Sequence, residues 1–438
     1  MVDKAQEFID RDLQHVVHGW GFNPVVLVEA HGSIVKDING KEYIDCISQT
    51  AGPVGIGHNH PKVVAALKKY LDSGGILHSF KGAVNIPRVE LAEKLSKITP
   101  RGLNKIYFTS GGSEAVETAI KGAMRITKKK EVISFQLGYH GGTIACLSLG
   151  QPWHREGVPI VPGFRQIAPP YCYRCPWGKI YPECELECSH ALERMIKYGS
   201  QNDVAAFILE PILGNGGHIF PPSPEYGKII RETADKYGVL VIADEIQTGL
   251  GRTGRMWGSE FIGLKPDILI ISKILGGGLP IGAAIFDERL VDKELQTATW
   301  HAFTFSGNPL ICTAASAAVD VVVEENLPAK AAETGKLMTA KLKKMQEKHS
   351  IIGDVRGPGL FIGAELVTNR KTKEPATKEI LKILPESYNR GAIFGLDKQP
   401  GVGNVVKIKP PLSIPHELAD RALDILDSCL TDLEKGKL

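Results

Sequence analysis

The chain has 438 residues, of which 43% are hydrophobic and 23% charged, as is typical of a soluble globular protein. Its 52 basic and 49 acidic residues give a net charge of +3, so the charge does not favour nucleic acid or an anionic membrane as a partner. The N-terminus, MVDKAQEFIDRDLQ, lacks the apolar core of a signal peptide, and no apolar run reaches the ~18 residues that span a bilayer. We therefore expect a cytoplasmic enzyme of two or three lobes.

In chain order, residues 25–47 are predicted to form short β-hairpins with a turn at INGKEY. The middle of the chain alternates short apolar runs with amphipathic stretches, which indicates an α/β domain with a mostly parallel sheet. The predicted strands are Ile106–Thr109, Val132–Phe135, Ala205–Leu209, Val239–Ala243, Ile268–Ile271 and Ala283–Phe286. Helices are predicted directly after Gly112, over 225–237 and over 309–323.

The two ends of the chain show a different pattern. Residues 326–349 form a charged helical stretch, and 351–438 mix strands with a final helix that begins near His416. We expect both ends to combine into a smaller α+β lobe beside the large domain. The predicted division is an N-terminal segment 1–60 that joins the small lobe, a large domain 61–325 and a small domain 326–438.

Three segments of the predicted large domain carry residues suited to chemistry. The first is TSGGSEAVETAIK (109–121), where a strand runs through two glycines into a helix. Backbone N–H groups of such a turn can bind a phosphate. A plain helix N-cap at Ser113 explains the same residues, so this segment alone leaves both interpretations open.

The second segment is VLVIADEIQTGLGRTG (239–254), in which an apolar strand ends at Asp244. Carboxylates at this edge of a parallel sheet lie where α/β enzymes bind ligands. GLGRTG fits the pattern GxGxxG, but four residues separate Asp244 from its first glycine and no convincing helix follows. We therefore reject a dinucleotide site, and keep a nicotinamide dehydrogenase only as a rival class.

The third segment is DILIISKILGGGLPIGA (267–283), which places Lys273 at the end of an apolar run and next to three glycines. Taken alone, it fits a strand end whose lysine reaches solvent. Together, an anion-binding turn, a strand-end acid and a strand-end lysine suit pyridoxal phosphate. This cofactor needs a lysine for a Schiff base, an acid at its ring nitrogen and a phosphate site.

The motifs then carry a resemblance. From about Ala30 to the C-terminus, the chain resembles the class III aminotransferases, a family of fold type I pyridoxal-phosphate enzymes. The motifs that carry the resemblance are IGHNHP (56–61), TSGGSEAVETAIK, GYHGGT (138–143), ILEP (208–211), ADEIQTGLGRTG, SKILGGGLPIGA and TFSGNP (304–309). The resemblance implies a mostly parallel central sheet with helices on both faces, and transfer of an amino group between an amino acid and a 2-oxo acid.

The resemblance also implies roles for single residues. Lys273 would form the Schiff base and act as the general base, and Asp244 would pair with the pyridine nitrogen. Gln247 would bond the phenolic oxygen of the ring, and Tyr139 would stack on the ring face.

Further roles concern the phosphate, the surroundings of the ring and the partner subunit. Gly112 and Ser113 would hold the phosphate. Glu210 would lie close by as support. Thr304 would reach the phosphate of the partner subunit's cofactor, which implies a homodimer.

Substrate choice is less determined by the motifs. In the 4-aminobutyrate and ornithine members of the family, a glutamate after the EP pair can cover a substrate-binding arginine. Here Asn215 stands at the glutamate position and Lys407 at the arginine position, in NVVKIKPPL. Lysine can still bind a carboxylate, though without the two-pronged geometry of arginine, and a solvent-facing strand lysine is the other interpretation.

The outcome of the reaction also stays open. Racemases, 2-epimerases and a dialkylglycine decarboxylase share most of these motifs. The TFSGNP motif favours an aminotransferase. A catalytically dead scaffold is disfavoured because Lys273, Asp244, Gln247 and Thr304 are all present.

A cysteine cluster stands apart from these motifs. Cys172, Cys175, Cys184 and Cys188 have the spacing C-x2-C-x8-C-x3-C. This spacing could close a zinc site or hold an iron–sulfur cluster, but reduced thiols or disulfides explain it as well. No metal is assigned to the reaction, and a non-enzymatic metal-binding module would account for only a small part of the chain.

Overall fold

A computed structural model describes residues 4–19, 23–80, 82–150, 157–397 and 403–438. The strands are β1 (Leu27–His31), β2 (Ile34–Asp37), β3 (Glu42–Asp45), β4 (Leu103–Thr109), β5 (Glu131–Phe135), β6 (Phe164–Ile167), β7 (Val204–Leu209), β8 (Leu240–Asp244), β9 (Ile268–Ile271), β10 (Gly282–Asp287), β11 (Ile352–Arg356), β12 (Ile362–Asn369), β13 (Glu374–Pro375), β14 (Ala392–Ile393), β15 (Gly395–Asp397) and β16 (Val405–Ile408).

The helices are α1 (Lys4–His15), α2 (Ser48–Ala51), α3 (Pro61–Asp72), α4 (Ile86–Ile98), α5 (Gly112–Thr127), α6 (Ile144–Ser148), α7 (Ala191–Tyr198), α8 (Glu225–Tyr237), α9 (Gly258–Phe261), α10 (Lys293–Thr297), α11 (Pro309–Glu324), α12 (Leu327–Lys348), α13 (Thr377–Asn389) and α14 (His416–Glu434). Short 3-10 turns cover Cys172–Arg174, Glu187–His190, Lys273–Gly276 and Glu288–Leu290. Among the described helices, none is both long and apolar enough to cross a membrane.

The central sheet has the order β4-β10-β9-β8-β7-β5-β6. The strands from β9 through β8, β7 and β5 to β6 run parallel, whereas β10 is antiparallel to both β4 and β9. Each predicted strand overlaps one of these strands, so the mostly parallel sheet is confirmed. The edge strand β6, which pairs only with β5, is not predicted from the sequence because its residues FRQI are half polar.

Both faces of the sheet are covered because successive residues of its strands point to opposite sides. Ile208, Ile242 and Ile270 pack with the alanine-rich side of α5. On the other face, Phe207 and Val241 pack against buried residues of α8. The predicted helices on both faces of the sheet are therefore present.

Two smaller sheets lie beside the central one. Their orders are β1-β2-β3-β14 and β11-β12-β16-β15, with β13 paired to β12. Strand β3 pairs in parallel with β14, so the N-terminal hairpins join a strand from the last fifth of the chain. Directly after β16, the N–H of Lys409 donates to the carbonyl of Cys46 at 2.6 Å. This contact holds the segment after β16 against the N-terminal segment.

Candidate active site

The carboxyl ends of the parallel strands meet at one cavity of about 250 Å³. Strands β5, β7, β8 and β9 lead into the loops or turns that carry the predicted ring-binding and catalytic residues, and β4 leads into the start of α5. The predicted residues that line the cavity are Gly112, Ser113, Tyr139, Glu210, Asp244, Gln247 and Lys273. The sheet thus brings together residues that lie up to 161 positions apart in the chain.

Lys273 begins the 3-10 turn after β9 and is partly buried. Its φ of 41° lies in the left-handed region, which costs a non-glycine residue about 1–3 kcal/mol and recurs at active sites. A Cβ on Gly52 would lie 3.3 Å from Cδ of Lys273, so the N-terminal segment packs against the lysine stem. Burial lowers the pKa of Lys273, although the charges of Asp244 and Glu210 oppose this shift. A lysine with a lowered pKa is a better nucleophile near neutral pH.

Asp244 is the last residue of β8 and is buried. Its Oδ2 lies 2.7 Å from Nδ1 of His140, and its Oδ1 accepts the N–H of Ile246 at 3.1 Å. Burial lowers the pKa of His140, but the hydrogen bond and the charge of Asp244 outweigh it, and the net shift is upward. His140 was not predicted as a site residue, although the GYHGGT motif contains it.

Among the described residues, no side chain caps the start of α5. Its N-cap, Gly111, has no side chain to cap the helix. Ser113 accepts the N–H of Gly142 on its Oγ at 3.1 Å, and a Cβ on Gly141 would lie 2.2 Å from that oxygen. Only glycine fits at position 141, where φ is 130°. This helix start is therefore shaped for an anion.

Glu210 follows β7 and is buried. Its two carboxyl oxygens accept the N–H groups of Tyr139 at 2.8 Å and Gly214 at 2.7 Å. Burial raises the pKa of Glu210 to about 7, against the lowering by His140 and the two backbone donors. Glu210 therefore fixes the backbone of two loops that border the cavity.

Gln247 lies in the loop after β8 and is 6% exposed. Its Oε1 accepts a hydrogen bond from Nζ of Lys409 at 2.9 Å. Lys409 was not predicted as a site residue. The sequence gives one weak indication of a role for Lys409. It lies two residues after the predicted site residue Lys407, and alternate residues of an extended segment point to the same side.

The other two predicted residues lie away from the cavity lining. Lys407 is paired to Oδ1 of Asp397 at 2.5 Å and donates to Oδ1 of Asn215 at 2.8 Å. Thr304 is exposed in the loop before α11. Neither position tests the predicted role, which concerns a substrate for Lys407 and a second subunit for Thr304.

These features fit pyridoxal phosphate. The cavity combines a lysine of lowered pKa, a buried carboxylate for a ring nitrogen and an uncapped helix start for a phosphate. Those are the groups that the cofactor requires. Lys273, Asp244 and Gln247 would hold its ring, and Gly112 and Ser113 would hold its phosphate.

Two other motifs show no comparable arrangement. In GLGRTG, the guanidinium of Arg252 is buried and donates to Ser48 and to the carbonyls of Leu360 and Pro410. All eight cysteines are free thiols. Within the described part of the chain, no group of three or more His, Cys, Asp or Glu side chains is arranged to hold a metal ion.

Comparisons with known proteins show the family of the chain. The family model described as "Aminotransferase class-III" matches residues 18–430. The leucine/methionine racemase of Thermococcus litoralis is 38% identical over 95% of this chain and 93% of that protein. The acetylornithine aminotransferase of Methanocaldococcus jannaschii is 35% identical over 98% of this chain and 99% of that protein.

Solved structures give the same fold. A PLP-bound amine transaminase from an uncultivated Pseudomonas species has a TM-score of 0.88, with 31% identity over 95% of this chain and 98% of that one. The predicted fold type I architecture, the family and the cofactor are confirmed. The chain belongs to the class III aminotransferases, and its cofactor is pyridoxal phosphate.

Proposed function

We propose that this class III aminotransferase moves an amino group from an amino acid or ω-amino acid to a 2-oxo acid such as pyruvate or 2-oxoglutarate, with Lys273 as its covalent anchor and proton carrier. The observation that carries the proposal is the position of Lys273 in one cavity with Asp244 and the start of α5. Bound pyridoxal phosphate would supply a ring that takes up the electron pair of the bond broken at the amino-bearing carbon of the substrate.

The surrounding residues support distinct tasks. Lys273 Nζ accepts the proton from the carbon of the substrate that bears the amino group, which its lowered pKa favours near neutral pH. Asp244, oriented by His140, holds a proton on the ring nitrogen. Tyr139 covers the ring of the cofactor, and Glu210 accepts the backbone N–H of Tyr139.

The lysine of the cavity suits the proton transfer of transamination. Lys273 is the sole amine among the described residues that line the cavity. His140 is bonded to Asp244, and both oxygens of Glu210 accept backbone N–H groups. A single base can move a proton between two carbons on one side of the ring. Racemisation requires return of the proton to the other side of the α-carbon.

The second candidate is a racemase or 2-epimerase, with a dialkylglycine decarboxylase as a further member of this class. The observation that favours it is the similarity to the racemase of Thermococcus litoralis.

Lys407 is proposed to bind a substrate carboxylate, and its contact with Asn215 links it to the loop after Glu210.

We further propose a homodimer in which Thr304 reaches the partner subunit's cofactor. Thr304 is exposed, and Phe305 beside it is exposed to 59%. Phe80, Val84 and Ile86 are also exposed by more than 70%. Apolar side chains exposed to this degree support a protein interface.

The free thiols support a reducing, cytoplasmic location.

The first experiment is an absorption spectrum of the purified protein before and after single amino acids are added. A band near 410–430 nm that moves to about 330 nm with one amino donor supports transamination and identifies that donor. Lys273→Ala should abolish this change, whereas Lys265→Ala, at an exposed lysine just before β9, should not.

The outcomes separate the candidate functions. A band that persists while an L-amino acid loses optical rotation, with no 2-oxo acid present, supports the racemase or epimerase. Absence of a band after pyridoxal phosphate is added would refute the proposed role of Lys273.

A further inference from the structure

Lys409 is a buried amine whose hydrogen-bond partners are both neutral. Its side chain is fully buried. Nζ donates to Oε1 of Gln247 and to the carbonyl of Gly214, each at 2.9 Å, and lies 3.8 Å from the ring centre of Phe361. Among the described residues, no carboxylate lies within the 4.0 Å of an ion pair.

Burial of this amine is unfavourable by itself. Burial lowers the pKa of Lys409 well below its ordinary value. The charges of Lys407 and Arg252 lower it further, whereas those of Asp397 and Glu210 raise it. An apolar side chain of the same length would avoid the loss of hydration. The amine is therefore explained by its contacts rather than by the packing of its stem.

One of those contacts orients a group that borders the cavity. Gln247 lines the cavity with Lys273 and Asp244. A Cβ on Gly214 would lie 2.4 Å from both Cδ and Nε2 of Gln247, so a side chain there would push the amide out of its present position. An amide has one accepting end and one donating end. Because the amine of Lys409 bonds the accepting end, the N–H end remains for a group in the cavity.

We propose that Lys409 is a positioning residue that holds Oε1 of Gln247 and thereby directs the amide N–H of Gln247 toward the phenolic oxygen of pyridoxal phosphate. The inference rests on the proposed role of Gln247 at that oxygen. Lys409 itself does not line the cavity and acts only through Gln247. Its effect passes through one hydrogen bond.

The proposal predicts a spectroscopic signature. A donor at the phenolic oxygen would stabilise the negative charge of that oxygen, and would so weaken its hold on the proton that it shares with Nζ of Lys273. The pH midpoint at which the bound cofactor loses its band near 410–430 nm is therefore lowered by the donor. Removal of the donor should raise the midpoint by about one pH unit.

The test is a pH titration of the absorption band in the holoenzyme and in Lys409→Met, Gln247→Leu and the double variant. Each single variant should raise the midpoint, and Lys409→Met should add nothing in the Gln247→Leu background. If Lys409 acts by its own charge or by packing, its effect will persist in that background, and this overturns the proposal. An unchanged midpoint in Lys409→Met also overturns it.

A second variant covers the case in which Lys409→Met does not fold, as checked by its Tm. Gly214→Ala displaces the amide of Gln247 by direct contact, so its midpoint should rise with Lys409 intact. An unshifted Gly214→Ala contradicts the orientation argued for Gln247. Absence of the band from the wild-type holoenzyme would instead count against the proposed function, so the two failures are distinguishable.

Discussion

Nδ1 of His140 lies 2.7 Å from Oδ2 of Asp244, and both side chains are buried. The contact joins the loop after β5 to the end of β8, across 104 positions of the chain. In the proposed function Asp244 faces a protonated ring nitrogen, and a buried carboxylate in that place needs a second partner to keep its orientation and charge. His140 is placed to be that partner.

Removal of His140 should therefore impair the site while the fold persists. In His140→Ala, Asp244 loses one donor, which costs about 1–3 kcal/mol, and kcat/KM should fall about 10- to 100-fold. His140→Asn places an uncharged N–H donor near the same point and should lose less. The measurements are kcat/KM with the best amino-group donor substrate and the Kd for pyridoxal phosphate. A His140→Ala enzyme within twofold of the wild type would contradict this role.

The raised pKa of Glu210 gives the stability a specific pH dependence. Its folded pKa of about 7 exceeds the ordinary value of 4.5, so the folded protein binds more protons at this site than the unfolded chain. Stability from this group is present below pH 4.5 and is lost as the pH rises toward 7. Relative to Glu210→Gln, the cofactor-free wild type should lose about 1–3 kcal/mol of unfolding free energy across that window.

Urea denaturation between pH 4.5 and 8, at one protein concentration, checks this expectation. The informative quantity is how the difference in unfolding free energy between the wild type and Glu210→Gln changes with pH. The amide that Glu210→Gln introduces would also turn an N–H toward a backbone donor, which shifts the whole curve by a constant. A difference that does not vary with pH would show that Glu210 is ionised throughout, because its two N–H donors outweigh burial.

The sequence predicts the central sheet well because each strand there is a short apolar run and the site residues follow directly in the chain. Strands β7 and β9 are uninterrupted apolar runs, and Asp244 and Lys273 stand directly at or just after such runs. Their meeting follows from parallel strands, which place all their carboxyl ends at one edge. Strand β6 escapes prediction because the composition of FRQI does not distinguish it from a loop.

The supporting contacts could not be predicted in this way. Lys409 reaches Gln247 across 162 positions, and no local pattern relates the two. The pairing of Lys407 with Asp397 of the neighbouring strand β15 is not indicated by the sequence, and it leaves the predicted substrate role of Lys407 untested. Such pairings depend on the register of the small sheet, which composition does not determine.

The pairing of Lys407 leads to a test of substrate binding. Lys407→Met alone would leave Asp397 buried without its cation, which costs about 3–5 kcal/mol. The double variant Lys407→Met/Asp397→Asn removes both charges and should recover most of the Tm. If Lys407 binds a substrate carboxylate, the double variant should raise KM for amino-acid donors about tenfold or more and leave KM for an amine donor without a carboxylate unchanged. Equal changes for both kinds of donor would assign Lys407 a structural role only.

Thr304 should contribute to cofactor binding only through a dimer. Thr304→Ala removes one hydroxyl and should raise the Kd for pyridoxal phosphate about five- to tenfold with the dimer intact. Ile86→Asp places a charge on a side chain exposed to 72% and should yield monomers with a similar or larger loss of affinity. Adding Thr304→Ala to that monomer should then change nothing, because the hydroxyl serves the other subunit. Light scattering and equilibrium dialysis measure both quantities. An effect of Thr304→Ala that survives in the monomer would place the hydroxyl at its own subunit's cofactor and refute the shared site.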